Sequence, residues 1–379
     1  LTEDLVDQSI GLVRDLRAID AGKPFLLYLA TGACHSPHQA PPSFLDRYRG
    51  RFACGWDAWR EKTLARQIAS GLVPPGTELS PRAQWVPPWD DLSADEKRVY
   101  ERYMEAFAGF LTHTDHHLGR LVATSRDTGD LDDTLIVVLS DNGASSEGGP
   151  FGSLNDLRPW NMAPRSLEEA LEHLDEIGGP RVHNNYPWGW TVAGNTPFRR
   201  WKREVHEGGV ADPLLVHWPR GIAARGEIRK QYVHAIDVVP TVLDVLGVVP
   251  PEQIGGVAQR HLEGTSFAYT FADPGAPGRH ETQYYEMFGC RAIYHDGWKA
   301  VTYKEIQDPR QNFDDDRWEL YHVAEDVAEC HDLAATHPEK LDELIALWWR
   351  EAEKHQVLPL DNRALSELVL ERPSLVPAR

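Results

Sequence analysis

The sequence predicts an α/β protein: a mixed sheet flanked by helices, then a small C-terminal domain with a short antiparallel sheet and one helix. Three observations carry this. Leu135 to Leu139 is an unbroken apolar, mostly β-branched run, the pattern of a central parallel strand buried on both faces. Phe25 to Ala30 repeats it directly after a helical stripe, so helix and strand alternate. Beyond residue 275 the chain breaks into short aromatic and β-branched runs separated by turns.

Leu5, Ile10, Leu12, Val13 and Leu16 form the first stripe, closed by Gly22-Lys23-Pro24. The Phe25–Ala30 run exits into a polar loop carrying His35 and His38. Histidines at a strand's carboxyl end suit acid–base or anion-binding work, and they equally suit a solvated loop. Residues 43–92, rich in Arg, Trp and Pro, read as a helix and a long surface excursion. Ser93-Ala-Asp-Glu96 is a capping box opening a long helix whose buried face uses Val99, Tyr103, Phe107, Phe110, Leu111, Leu118 and Leu121. His113 and His117 share a face of it at a spacing that would hold a metal, but no third ligand stands nearby in sequence.

At the end of the Leu135–Leu139 run, Asp141 and Asn142 arrive together, followed by Gly143, which can take a backbone conformation closed to other residues. The tripeptide reads as a turn, or as two hard-oxygen donors for Ca²⁺ or Mg²⁺ at the crevice end of a strand. Ser166-Leu-Glu-Glu169 is a second capping box, and the loop carrying Trp188 and Trp190 reads as substrate-facing or as a lid on the core. Arg199, Arg200, Lys202 and Arg203 are a cationic cluster suited to an anion, or a solvated charge run. Leu214–Pro219 is another strand and Ala235–Gly247 a helix with Pro240 near its start. In the C-terminal part, runs at 283–287, 290–294, 298–302 and 318–322 form the small sheet. Pro338–Lys354 is an amphipathic helix with Leu341, Leu344, Ile345 and Trp348 inward.

The chain has 379 residues and a formal net charge of −19, which excludes nucleic acid and anionic membranes as partners. No apolar run approaches the roughly 18 residues of a membrane span. Four scattered cysteines make neither a zinc motif nor a disulfide framework.

Phe25 to Pro41, Ser140-Asp-Asn-Gly143, Lys202 through Glu207-Gly-Gly209, Asp237-Val-Val-Pro-Thr241 and the terminal Glu319-Leu-Tyr-His322, Asp326 and Asp332-Leu-Ala334 occur in the order and context of the arylsulfatases. The chain resembles that formylglycine-dependent family, of the alkaline-phosphatase-like superfamily, over nearly its whole length. The resemblance implies that Asp141 and Asn142 ligate Ca²⁺, that His35 contacts the sulfate and the leaving oxygen, and that Lys202 bridges to the sulfate. It implies a catalytic portion over 1–275, a C-terminal α+β subdomain over 276–379, and a small-molecule sulfate ester, aryl in type, as substrate. Phosphate or phosphonate ester hydrolysis, or non-catalytic anion binding, are the other readings.

One departure stands out. The family's nucleophile is made from Cys or Ser in C/S-x-P-x-R, and neither Cys34, Cys54, Cys290, Cys330 nor any serine sits in that pattern. The strand with paired aspartates that supplies the remaining metal ligands is also missing. The chain is therefore expected to be the C-terminal two-thirds or so of a sulfatase, inactive alone, with any export signal upstream of Leu1. In a completed enzyme, Lys202→Ala and His35→Ala are expected to impair turnover far more than Lys299→Ala or His38→Ala.

Overall fold

A computed structural model describes residues 1–158, 166–303, 313 and 316–360; the end of the expected C-terminal subdomain, 361–379, lies outside the described residues. Helix α1 (Thr2–Ile19) packs along the long α4 (Ala94–Asp127), with the single turn α2 (Pro42–Leu45) also against α4, and helix α3 (Gly55–Ala69) packs on the segment 188–194. The capping box that opens α4 forms as the sequence dictates: Glu96 N–H donates to Ser93 Oγ at 3.2 Å, and Ser93 N–H donates to Glu96 at 2.8 Å. Of the expected buried face of α4, Leu111 departs and is 48% exposed.

The main core is made where the sequence suggested a surface excursion. Trp56 and Trp89, from that region, and Trp190, from the loop read as substrate-facing or as a lid on the core, meet at ring-centroid distances of 4.8, 5.9 and 5.7 Å. All three are buried with Phe52, Val86 and Tyr100. Two indole N–H groups find backbone carbonyls, Trp190 to Tyr100 at 2.8 Å and Trp56 to Pro87 at 3.1 Å. Burying a tryptophan removes a large apolar area from water provided that its N–H is satisfied, as it is here. Trp190 lies in the short helix α6 (Trp188–Gly194), preceded by α5 (Leu167–Glu172), whose Ser166 cap also forms.

Two strand expectations change. Strand β1 (Ile136–Leu139) pairs antiparallel with β2 (Leu214–His217), Leu139 opposite Leu214, and no further strand joins them among the described residues. With a neighbour at one edge only, β1 is not a doubly buried parallel strand, and Val138 and Leu139 are about two-fifths exposed. Phe25–Ala30 forms no strand. It is extended, with Leu26 and Tyr28 86% and 89% exposed, because nothing among the described residues pairs with it.

After the one-turn helix α7 (Glu207–Val210) and β2 come α8 (Val238–Leu246), stopped by Gly247 at φ 65°, and an exposed hairpin of β3 (Gln253–Ile254) and β4 (Val257–Ala258). The C-terminal sheet is a four-stranded antiparallel meander of β5 (Thr282–Met287), β6 (Cys290–His295), β7 (Trp298–Tyr303) and β8 (Arg317–Tyr321). Helix α9 (Pro338–Lys354) covers one face, packing Leu344 and Trp348 against Ile293, Ala300 and Leu320. The other face, with Ala292, Val301 and Tyr321, meets Val205 of the segment that carries Lys202.

That seam is charged and buried. Lys299 Nζ lies 2.6 Å from Glu207 and 3.2 Å from Glu329, and Glu207 N–H donates to Glu329 at 2.8 Å. Burial alone would discharge Lys299, but Glu207 and Glu329 outweigh it and raise its pKa. Beside it, Glu319 accepts from His206 at 3.0 Å and from Tyr321 at 2.9 Å and pairs with Arg199 at 3.3 Å. Burial pushes Glu319 up, but these partners prevail and bring it down to about 2. A depressed carboxyl contributes stability that is complete above its ordinary value near 4.5 and is lost as pH falls toward 2. Glu319→Gln should therefore lower the urea midpoint at pH 7, with the gap to the parent protein closing between about pH 4.5 and 2. A gap that stays constant down to pH 2.5 would contradict this.

Candidate active site

The loop after β1 is held by the polypeptide around it. Ser140 N–H still bonds Pro213 across the ladder at 3.3 Å, and Gly143 N–H then donates to Gly209 O at 3.2 Å. Ala144 N–H donates to Asn195 Oδ1 at 2.8 Å, and Lys202 N–H to Ala144 O at 3.1 Å. Thr191 and Trp188 of α6 take the carbonyls of Ser145 and Ser146, each at 2.8 Å. Gly143 does not use the positive φ open to glycine. It is glycine because a Cβ there would stand 1.8 Å from Gly208 O. Gly143→Ala must push the 140–147 loop off the Gly208–Gly209 backbone, and is expected to cost about 1–3 kcal/mol, read in urea denaturation. A neutral result would mean that the close approach does not exist.

The structure brings His35 and Lys202 together through a residue that the sequence did not single out. Glu147 lies 3.3 Å from His35 Nε2 and 3.3 Å from Lys202 Nζ. It is fixed from its own loop by Ser145 Oγ at 2.9 Å. Burial raises its pKa, but Ser145, Lys202 and His35 outweigh it and the net shift is downward, so the carboxylate is ionised at neutral pH. The His35 loop is tied to residues 178–184 by Ser36 Oγ and His38 N–H, both donating to Asn184 O, at 3.1 and 3.2 Å. His35 is exposed, its Nδ1 2.8 Å from Ser36 O, which leaves Nε2 facing Glu147.

Asp141 is exposed and Asn142 half-buried, six and five residues ahead of Glu147. Neither side chain makes a hydrogen bond or ion pair among the described residues. Across the extended ladder lies Asp212, its carboxyl pushed up to about 7 by burial, then by Asp141 and Glu207. Unengaged oxygen donors beside a carboxyl that resists ionising form a set that suits a hard divalent cation such as Ca²⁺.

The remaining candidates disperse. In the cationic cluster, left-handed backbone at Arg200 (φ 68°) and Arg203 (φ 80°) turns successive side chains apart. Arg199 goes to Glu319 and Tyr321, and Arg200 lies over the rings of Trp85 and Tyr303 at 5.0 and 4.8 Å. Lys202 is the member that faces Glu147. His38 is in the loop but not solvated: it is 2% exposed, stacks on Tyr186 at 5.0 Å, and burial, followed by His35 and His183, lowers its pKa to about 3. Burial likewise raises the Cys34 thiol to about 11, far from the thiolate a nucleophile requires.

In overall architecture the chain is similar to the crystal structure of Ps i-CgsB, with a TM-score of 0.55 at 22% identity over 96% of this chain and 56% of that one. That likeness shows a shared α/β fold. The chain belongs to the sulfatase family: the Sulfatase family model matches residues 1–248, and the model for the C-terminal part of N-sulphoglucosamine sulphohydrolase matches residues 199–356. It is 29% identical over 371 residues to an uncharacterized sulfatase of Schizosaccharomyces pombe, covering 96% of this chain and 64% of the relative. It is 25% identical over 240 residues to the arylsulfatase of Klebsiella aerogenes, covering 63% of this chain and 50% of that protein. The chain thus spans half to just under two thirds of these relatives' length. Among the described residues no helix is long and apolar enough to cross a membrane.

Proposed function

We propose that this chain supplies the sulfate-gripping wall of a sulfuric ester hydrolase acting on aryl sulfates. The observation that carries the reading is the Glu147 carboxylate, with Lys202 Nζ and His35 Nε2 each 3.3 Å from it. An ammonium and an imidazole held by one carboxylate are fixed in place before substrate arrives, which is what transition-state stabilisation demands. Family membership and the arylsulfatase of Klebsiella aerogenes among the relatives support the reaction class.

In this reading Lys202 directs its remaining N–H donors at the sulfate oxygens. His35 in its protonated form donates Nε2–H to the ester oxygen, assisting a phenoxide whose parent phenol has a pKa near 10. Glu147 orients both groups and excludes alternative partners. Asp141 and Asn142 would hold Ca²⁺, which when bound neutralises charge on the sulfate. The formylglycine nucleophile has no C/S-x-P-x-R precursor within these 379 residues.

The test compares an aryl sulfate with the matching aryl phosphate and phosphonate in an enzyme that joins a C-x-P-x-R segment to this chain. Preferential sulfate turnover supports the proposal. Faster phosphate or phosphonate turnover moves the reading to those esters, and anion binding without turnover of any makes the protein a non-catalytic relative.

A further inference from the structure

We propose a second metal site, for Zn²⁺ or a similar imidazole-seeking divalent ion, formed by Glu3 of α1 with His113 and His117 of α4. No third ligand stands near the histidine pair in sequence; the packing of α1 on α4 supplies it. One ligand atom from each of the three residues lies within 4.8 Å of the others, and the two Nε2 atoms are 3.1 Å apart. Donors on a tetrahedral Zn²⁺ with Zn–N near 2.05 Å stand about 3.3 Å apart, so the histidines already hold that bite. Both rings are buried, 7% and 5% exposed, while Glu3 is exposed and able to swing in. Glu3 and His113 also line an open groove of about 770 Å³, which gives the ion a path and leaves room for a water as fourth ligand.

The hydrogen bonds of the metal-free cluster are poorly matched. Arg120 Nη1 is only a donor, and it points at His117 Nδ1 from 2.9 Å. His117 therefore carries its proton on Nε2 and donates it to His113 Nε2, which places the His113 proton on Nδ1. That nitrogen is buried without a hydrogen-bond partner. His113 is thus already in the tautomer that coordinates through Nε2. His117 must move its proton to Nδ1, where Arg120 no longer fits and a carboxylate would. Asp7, 2.6 Å from Arg120 Nη2 and close enough to act on the His117 charge, is that carboxylate. The site is independent of Asp141 and Asn142, whose oxygens favour a harder ion.

The experiment titrates Zn²⁺ into the metal-stripped full chain by calorimetry, with excess Ca²⁺ present. We expect one site that disappears in the His113→Gln/His117→Gln pair. Glu3→Gln, an exposed change that leaves the fold alone, should raise the dissociation constant by at least about tenfold, the effect that even an outer partner has on a metal. Arg120→Met, which removes the competing donor, should tighten binding. No Zn²⁺ binding by the parent chain, or equal affinity in the parent and Glu3→Gln, would overturn the proposal.

Discussion

In an enzyme that joins this chain to a nucleophile segment, Lys202→Ala is expected to lower aryl sulfate turnover by on the order of a hundredfold or more. His35→Ala should do the same for esters with poor leaving groups. A donor aimed at developing charge is worth that much, and the Glu147 carboxylate holds both groups, each 3.3 Å from it. The two losses should differ in kind. A phenol made more acidic with nitro groups needs no proton, so it should recover much of the His35→Ala loss and little of the Lys202→Ala loss. Equal losses across a leaving-group series would remove His35 from its assigned role.

Lys299→Ala is expected to destabilise the fold by about 3–5 kcal/mol, because it leaves Glu207 and Glu329 facing each other without their cation. The effect falls on stability, which the sequence-based comparison of turnover did not address, since Lys299 is 0% exposed. Urea denaturation of Lys299→Ala against Lys299→Met/Glu329→Gln provides the check. The double variant, which removes one carboxylate together with the cation, should recover a substantial part of the loss, and a double variant no better than the single would mean that the pair does not interact as described. His38→Ala should likewise lower stability rather than leave it untouched, through the cavity left against Tyr186 and Phe107.

What was legible in the sequence was what is local. The Ser93 capping box, the four C-terminal strands and the bounds of α9 follow from spacing within a few residues, and each forms; at Ser166 only the hydroxyl half of the expected box forms, because the Glu169 carboxylate pairs with Arg158 instead. His35 and Lys202 were singled out because their motifs stand in the sulfatase order. Glu147 was not, because a glutamate in a Ser-Ser-Glu-Gly loop carries no periodicity, and its meaning comes from residues more than fifty positions away on one side and a hundred on the other. The tryptophan core was misread for the same reason: Trp56, Trp89 and Trp190 each look like loop aromatics until the chain brings them together. The strand reading of Phe25–Ala30 failed because a β pattern needs a neighbour to pair with.

The buried charges between the Lys202 segment and the C-terminal sheet bear on how the molecule comes apart. Lys299, Glu329 and Glu319 cannot trade their partners for water without first being exposed together, so the seam has no partly open state of low energy and cannot work as a hinge. The covalent link across it, by contrast, runs through residues 246–263, all of them exposed. A protease that cuts the β3–β4 hairpin should therefore yield two fragments that elute as one particle and dissociate only in denaturant. The same hairpin is then the natural place to divide the coding sequence into two co-expressed halves.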